Sequence, residues 1–369
     1  MPLQDELIYL AKIIGMDEPP QSWVDNGFIL NQIPFRPDCL EEEYLTAALK
    51  FYRLDEETKF AEIFKTSLAQ IRQNEAYQKI VCLCHEILFG EKEPDLEKLW
   101  GWKIDFKKNI PKMLAAVILL GGYQKHLRLM QRRHLDESQI GFQKEGVKNS
   151  CLKGLTFYHT EEMEASSLAW GLYHVYQRLI RVGCFNYECG KFNEPFWVFE
   201  NKKDSSLKYV SVSNEMVAEQ IEKEENDRLI LSPGDDRNGI HIPVNADLSL
   251  SCVYQSLKKS QDEIRKAFPV LKNRQIVYTC HSWMLSPQLS GLLNADTKIV
   301  QFKNLFTPLP CTDGAGDFLK FVFKKPKTWT DWATLPEDTT LRRAVKKHLM
   351  AGKALHCGKG VMVYRERDL

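Results

Sequence analysis

Gly239-Ile-His-Ile-Pro243 runs into Val244-Asn-Ala-Asp-Leu-Ser-Leu250, and Val277-Tyr-Thr-Cys-His-Ser-Trp283 follows downstream. The first piece is β-branched and alternating, so it reads as a strand with Ile240 and Ile242 on one side and His241 on the other. Between the two pieces Val253, Leu257, Ile264 and Phe268 share one face at helical spacing, and Ser249 or Asp247 stands where an N-cap belongs. The second piece is apolar with a polar carboxyl end. Strand, helix and strand in that order predict a crossover unit with locally parallel pairing.

Similar runs surround this unit. Residues 184–192, 196–200, 207–213, 239–244, 275–283, 298–309 and 317–323 read as strands separated by Gly, Pro, Asn and Asp turns. A last helix is expected after Thr340, with Leu341, Val345 and Leu349 inward and Gly352 ending it. The charged stretch between Glu219 and Arg237 reads as a solvated helix end and loop.

Upstream of Gly183 the period changes to that of helices. Leu3, Leu7, Leu10 and Ile14 make one stripe, closed by Gly15 and Pro19-Pro20; Phe60, Phe64, Leu68 and Ile71 make another. Ile80, Val81, Cys84, Ile87 and Leu88 make a third, with Gly90 expected as a C′ residue. A fourth helix is expected from Ile110 to Met130, and a fifth through Leu168, Leu172, Val175, Leu179 and Ile180 to a stop at Gly183. The expected fold class is α+β. A helical N-terminal domain, 1–150, precedes a mixed β-sheet domain flanked by helices, 151–369.

Composition narrows the function classes. The 369 residues carry a net charge of +1, which removes the electrostatic argument for general nucleic-acid or membrane-surface binding. The basic positions Lys320, Lys324, Lys325, Lys327, Arg342, Arg343, Lys346 and Lys347 read as a solvated rim. The apolar run from Met113 to Leu120 is far below the ~20 residues of a membrane span. Without a basic, cleavable leader at Met1, the expected location is the cytoplasm. The ten cysteines are scattered with no paired Cys-x-x-Cys knuckle, so reduced buried thiols are expected and no metal. Dinucleotide, P-loop, zincin and nucleophile-elbow motifs are absent.

Two places are left for chemistry. The turn from the first strand into the helix gathers free backbone N–H groups at a helix N-terminus, a generic anion site. His281 and Ser282 end the second strand, where open α/β sheets place their sites, and a histidine there can act as a general base. A structural reading stands beside this: His281 bonded to a loop carbonyl and Ser282 capping a helix at Pro287.

The combination of Gly239-Ile-His-Ile-Pro243, a helix ending in Phe268-Pro269, Cys280-His-Ser-Trp-Met-Leu-Ser-Pro-Gln-Leu289 and Lys298-Ile-Val-Gln-Phe-Lys-Asn-Leu-Phe306 resembles the bacterial GNAT-like acyltransferases. The resemblance implies a GNAT-like mixed sheet whose fourth and fifth strands splay to admit acyl-CoA. It implies transfer of an acyl group, acetyl in the simplest case, from coenzyme A to an amine of a small molecule or peptide. The family's parts then fall on His281 and His241 as base and on Ser282 and Tyr278 as acid for the leaving thiolate. Pro243, Asn245, Asp247, Ser249 and Trp283 fall around the coenzyme. One departure stands out: residues 243–250 contain no glycine, where the superfamily has a glycine-rich pyrophosphate loop. The alternative is a non-catalytic GNAT-fold binding module whose helical domain recruits a partner. Acyl-CoA and an amine acceptor are the implied partners, without nucleic acid or membrane and with a homodimer left open.

Overall fold

The computed structural model describes residues 3–27, 30, 38–96, 110–133, 135–212, 227–272, 275–311 and 314–365. The chain forms two compact units, Met1–Arg178 and Leu179–Leu369. The units divide at Arg178 and Leu179, whereas residue 150 falls inside the helix Glu137–Lys153, which packs on the helix Ala165–Val175.

The first unit is built of α1 (Leu3–Ile13), α2 (Gln21–Asn26), α3 (Glu42–Tyr52), α4 (Thr58–Gln73), α5 (Glu75–Phe89), α6 (Leu114–Gly121), α7 (Tyr123–Arg133), α8 (Glu137–Lys153) and α9 (Ala165–Val175). Asn74 and Asp136 cap α5 and α8 by accepting from the first-turn N–H groups. All eight residues of α6 are buried, and α3, α4, α5 and α9 touch it, so it is apolar all round. The single helix expected from 110 to 130 is instead α6 and α7, which meet at Gly122. A Cβ there would sit 2.3 Å from the Phe89 ring, so the crossing needs glycine. Gly90 ends α5 with φ −60°, ψ −165°, extended rather than the left-handed C′ conformation expected. The helix expected to reach Ile180 stops at Val175. Gln177 turns the chain with φ 54°, and Leu179, Ile180 and Val182 enter a sheet.

The second unit holds β1 (Leu179–Val182), β2 (Phe185–Lys191), β3 (Phe196–Asn201), β4 (Leu207–Ser211), β5 (Asp227–Leu231), β6 (Asp236–His241), β7 (Val277–Ser282), β8 (Thr307–Leu309) and β9 (Gly358–Val363). Its helices are α10 (Leu250–Ala267), α11 (Leu289–Leu292), α12 (Lys298–Lys303) and α13 (Thr340–Met350). One sheet runs β1-β2-β6-β7-β9-β8 and a second runs β4-β3-β5. Of these ladders β6–β7 alone is parallel, and α10 is its crossover, as expected.

Alternation assigns the faces. Tyr187, Ile240, Tyr278 and Met362 bury against Val253, Leu257 and Ile264 of α10. Each fully buried side chain of this kind stabilises by roughly 1.5–3 kcal/mol. The opposite face of the large sheet, through Val277, Val361 and Val363, packs on Val198 and Leu231 of the small sheet.

Several runs read as strands are not. Residues 298–309 divide into α12 and the short β8; Gln301 N–H already bonds Thr297 O at 2.9 Å. Residues 317–323 form a π-helical turn, Phe318–Val322, buried against Val345 and Leu349 of α13. Short apolar runs carry no periodicity long enough to separate the two states. Conversely, β5 arises inside the charged stretch read as a loop, whose residues 219–226 lie outside the described ones, and the glycine-led β9 went unread. Residue 213 of the expected 207–213 strand also lies outside the described residues.

Candidate active site

The large sheet opens at one place. β6 and β7 pair only at Asn238↔Tyr278 and Gly239↔Thr279, although β6 continues to His241 and β7 to Ser282. Past that point β6 still pairs with β2, through His241 and Asn186, and β7 with β9, through His281 and Lys359. The two strands part toward their carboxyl ends, and backbone edges normally joined in a ladder face a cleft of about 200 Å³. Glu188, His241, Thr279, His281, Leu309 and Lys359 line it.

His241 and His281 are on the same face, opposite α10, one on each lip. His241 Nε2 lies 2.8 Å from Glu188 Oε2, and Arg237 donates to that same oxygen from 3.2 Å. Glu188 is buried, at 4% exposure. Burial alone would raise its carboxyl, but the His241 hydrogen bond and the Arg237 charge outweigh it and bring the group down to about 2. A permanent carboxylate therefore orients the imidazole. With the proton on Nε2 facing Glu188, Nδ1 becomes the basic nitrogen, an arrangement of base and orienting carboxylate suited to proton abstraction. His281 Nε2 is 3.8 Å from Cys311 Sγ.

The remaining expected residues divide. Tyr278 is fully buried on the α10 face, its hydroxyl 2.7 Å from Ser260 Oγ, and burial pushes its phenol well above the usual value. It is outside the cleft. Ser282 accepts from Met284 N–H at 3.1 Å and so caps the short turn Trp283–Leu285, not a helix at Pro287. Trp283 packs on Phe318, centroids 5.3 Å apart, in the cluster around α13.

Pro243, Asn245, Asp247 and Ser249 do lie together on the turn into α10. Asn245 is left-handed, φ 65°. Ser249 is the N-cap residue but makes no side-chain cap; its N–H and Oγ instead donate to Asp247 at 3.0 and 2.8 Å. Lys298 bonds the same carboxylate at 2.8 Å, and this bond with those of Ser249 holds Asp247 down at about 2. The first N–H groups of α10 remain without intrahelical partners.

Glu188 and Arg237 were not singled out from the sequence. In Phe185-Asn-Tyr-Glu-Cys-Gly190 the apolar positions alternate, so Glu188 falls on what reads as a solvent face. The only available signal was a charge centred in an otherwise apolar strand. Among the described residues no group of three or more His, Cys, Asp or Glu is arranged to hold a metal.

Residues 179–362 match the family model for a GNAT-like C-terminal domain. Solved structures share the architecture over the whole chain. An acyltransferase variant in complex with octanoyl-CoA superposes with a TM-score of 0.61 at 17% identity, covering 98% of this chain and all of that one. An acyltransferase in complex with decanoyl-CoA gives 0.59 at 18% identity, covering 97% and 99%. One in complex with decanoyl-CoA and teicoplanin gives 0.57 at 17% identity, with the same coverage. At these identities the likeness is one of fold. No curated protein matches the chain.

Proposed function

Because residues 179–362 belong to the GNAT-like C-terminal domain family, we propose that the chain is an acyl-CoA-dependent N-acyltransferase, with the cleft between β6 and β7 as its active site. The observation that carries the reading is the pairing of His241 with the buried Glu188 where those strands part. Coenzyme A supplies the acyl group as a thioester. The chain supplies the rest: strand edges past Gly239 and Thr279 whose N–H groups can meet the thioester oxygen, and a base for the acceptor amine. As the amine nitrogen bonds the acyl carbon and the carbon–sulfur bond breaks, His241 Nδ1 takes the amine proton. His281, on the other lip, is the group placed to protonate the departing thiolate. Asn245, Ser249 and the α10 N-terminus are the residues for the pyrophosphate, with Lys298, bonded to Asp247, beside them.

Two finer points belong to the same reading. The acceptor is an amine, since an imidazole oriented by a carboxylate is suited to taking the proton that an amine sheds as it attacks the thioester. The donor includes chains longer than acetyl, a choice supported by the octanoyl- and decanoyl-CoA held in structures of the same fold.

One observation favours the alternative, a binding module without catalysis. The turn 243–250 has no glycine, and the Asp247 carboxylate occupies the helix entrance where a phosphate would sit. A thermal-shift titration with coenzyme A, acetyl-CoA, octanoyl-CoA and decanoyl-CoA separates the two. Ligand at ~100 times its dissociation constant stabilises by about 2.7 kcal/mol, a shift of a few degrees. Binding followed by coenzyme A release in the presence of an amine panel supports the transferase. No shift at millimolar ligand overturns it and leaves the binding module.

A further inference from the structure

We infer that Arg237 is a positioning residue of this site: it crosses Gly239 to hold the Glu188 carboxylate, and so sets how strongly that carboxylate grips His241. This rests on the reading of His241 as base.

The β2–β6 register places the four residues. Gly190 pairs with Arg237, Glu188 with Gly239 and Asn186 with His241, so Arg237, Gly239 and His241 follow one another on one face with Glu188 beside the middle one. From that position one oxygen, Oε2, meets the Arg237 guanidinium at 3.2 Å and the imidazole at 2.8 Å. Arg237 Nε also donates to Lys191 O at 3.3 Å, which anchors the base of the guanidinium. Gly239 makes the crossing possible: a Cβ built on it would lie 2.1 Å from Arg237 Nη1 and 3.1 Å from Glu188 Oε2. The guanidinium thus fills space that any other residue at 239 would claim.

The other charges around the cleft are engaged with each other. Lys191 pairs with Asp236 at 2.7 Å and Lys359 with Glu194 at 2.8 Å, while His281 faces Cys311. Glu188 therefore has Arg237 and His241 as its two charged or titratable partners among the described residues. A buried carboxylate with the imidazole as sole partner would favour imidazolium and remove the base near neutral pH. With Arg237 sharing the same oxygen, the carboxylate stays charged and oriented while part of its field is met elsewhere.

The test is the titration of His241 in the free protein, read by NMR of labelled imidazoles and assigned by the signal lost in His241→Asn. Arg237→Met is expected to raise the midpoint by about one pH unit, the scale of a nearby charge. Arg237→Lys should give a smaller rise. Gly239→Ala, which displaces the guanidinium while keeping both partners, should move it in the same direction and keeps the test alive where Arg237→Met fails to fold. In an acyl-transfer assay, the acid limb of kcat/KM of each variant should move from its wild-type position by the same amount as the midpoint. Midpoints unchanged in Arg237→Lys and Gly239→Ala overturn the proposal, since a merely structural arginine would change stability and leave the titration alone. Absence of any acyl transfer by the wild type would instead strike the reading of function, while the NMR midpoint still decides this one.

Discussion

Glu188 and His241 stand on adjacent strands of one sheet, two register positions apart, with 2.8 Å between Oε2 and Nε2. That diagonal contact comes from the β2–β6 register, and the parting of β6 from β7 leaves the cleft beside it. The imidazole is thus fixed on its inner side and faces the opening on the other. If it is the base, His241→Ala lowers kcat/KM for acyl transfer at least ~100-fold with acyl-CoA binding retained. Turnover within a few-fold of wild type would remove His241 from the mechanism. His281→Ala is expected to cost less, because a departing thiolate can take its proton from water.

Glu188 also links the site to stability. Its folded carboxyl titrates near 2, below the 4.5 of a free glutamate. A depressed acid contributes stability that is fully present above about 4.5 and is lost as pH falls toward 2; for this shift the contribution is roughly 3 kcal/mol. Glu188→Gln removes that term and leaves Arg237 without its carboxylate. Urea unfolding should therefore show the variant several kcal/mol weaker at neutral pH, with the difference closing below pH 4. A constant gap from pH 7 to pH 3 would mean that the loss is one of packing alone.

Tyr278 offers a negative control. Its hydroxyl bonds Ser260, which has a second bond to Leu257 O at 2.8 Å and so stays satisfied when the phenol is lost. Tyr278→Phe should cost about 0.5–1.5 kcal/mol in thermal unfolding and leave turnover within about two-fold. A large loss of turnover at wild-type stability would return Tyr278 to the role of acid.

How far the sequence reached follows from what each residue signals. The β6–α10–β7 crossover was legible because Ile240 and Ile242 alternate while Val253, Leu257 and Ile264 keep helical spacing, so both periods agree with the burial found. His281 was legible as a polar residue at a strand end, while His241, inside the expected strand 239–244, was reached only through the family resemblance. Glu188 was not legible, since period 2 assigns a face but says nothing of what meets a side chain on that face; here it is Arg237 and His241 of the neighbouring strand. The π-helical turn at Phe318–Val322 and the strand Gly358–Val363 were missed for the opposite reason. Their burial depends on partners distant in the chain, with no local pattern to announce it.

The helical unit has its own titrating group. His126 is fully buried with Nδ1 2.8 Å from Tyr52 Oη, and its Nε2 finds no partner. Burial, and then the charges of His174 and Lys144, lower it to about 3. A depressed base is neutral in the fold and protonates more readily in the unfolded chain. Its stabilising effect is complete above pH 6.5 and drains as pH falls toward 3, by about 1.4 kcal/mol per unit. Between pH 7.5 and 5.0 this amounts to about 2 kcal/mol. Calorimetry of the full chain at those two values should show wild type losing that much more than His126→Gln, because every other titrating group is common to both. Parallel pH dependences would mean that His126 reaches water or a partner when protonated, and that the Tyr52 contact opens without unfolding.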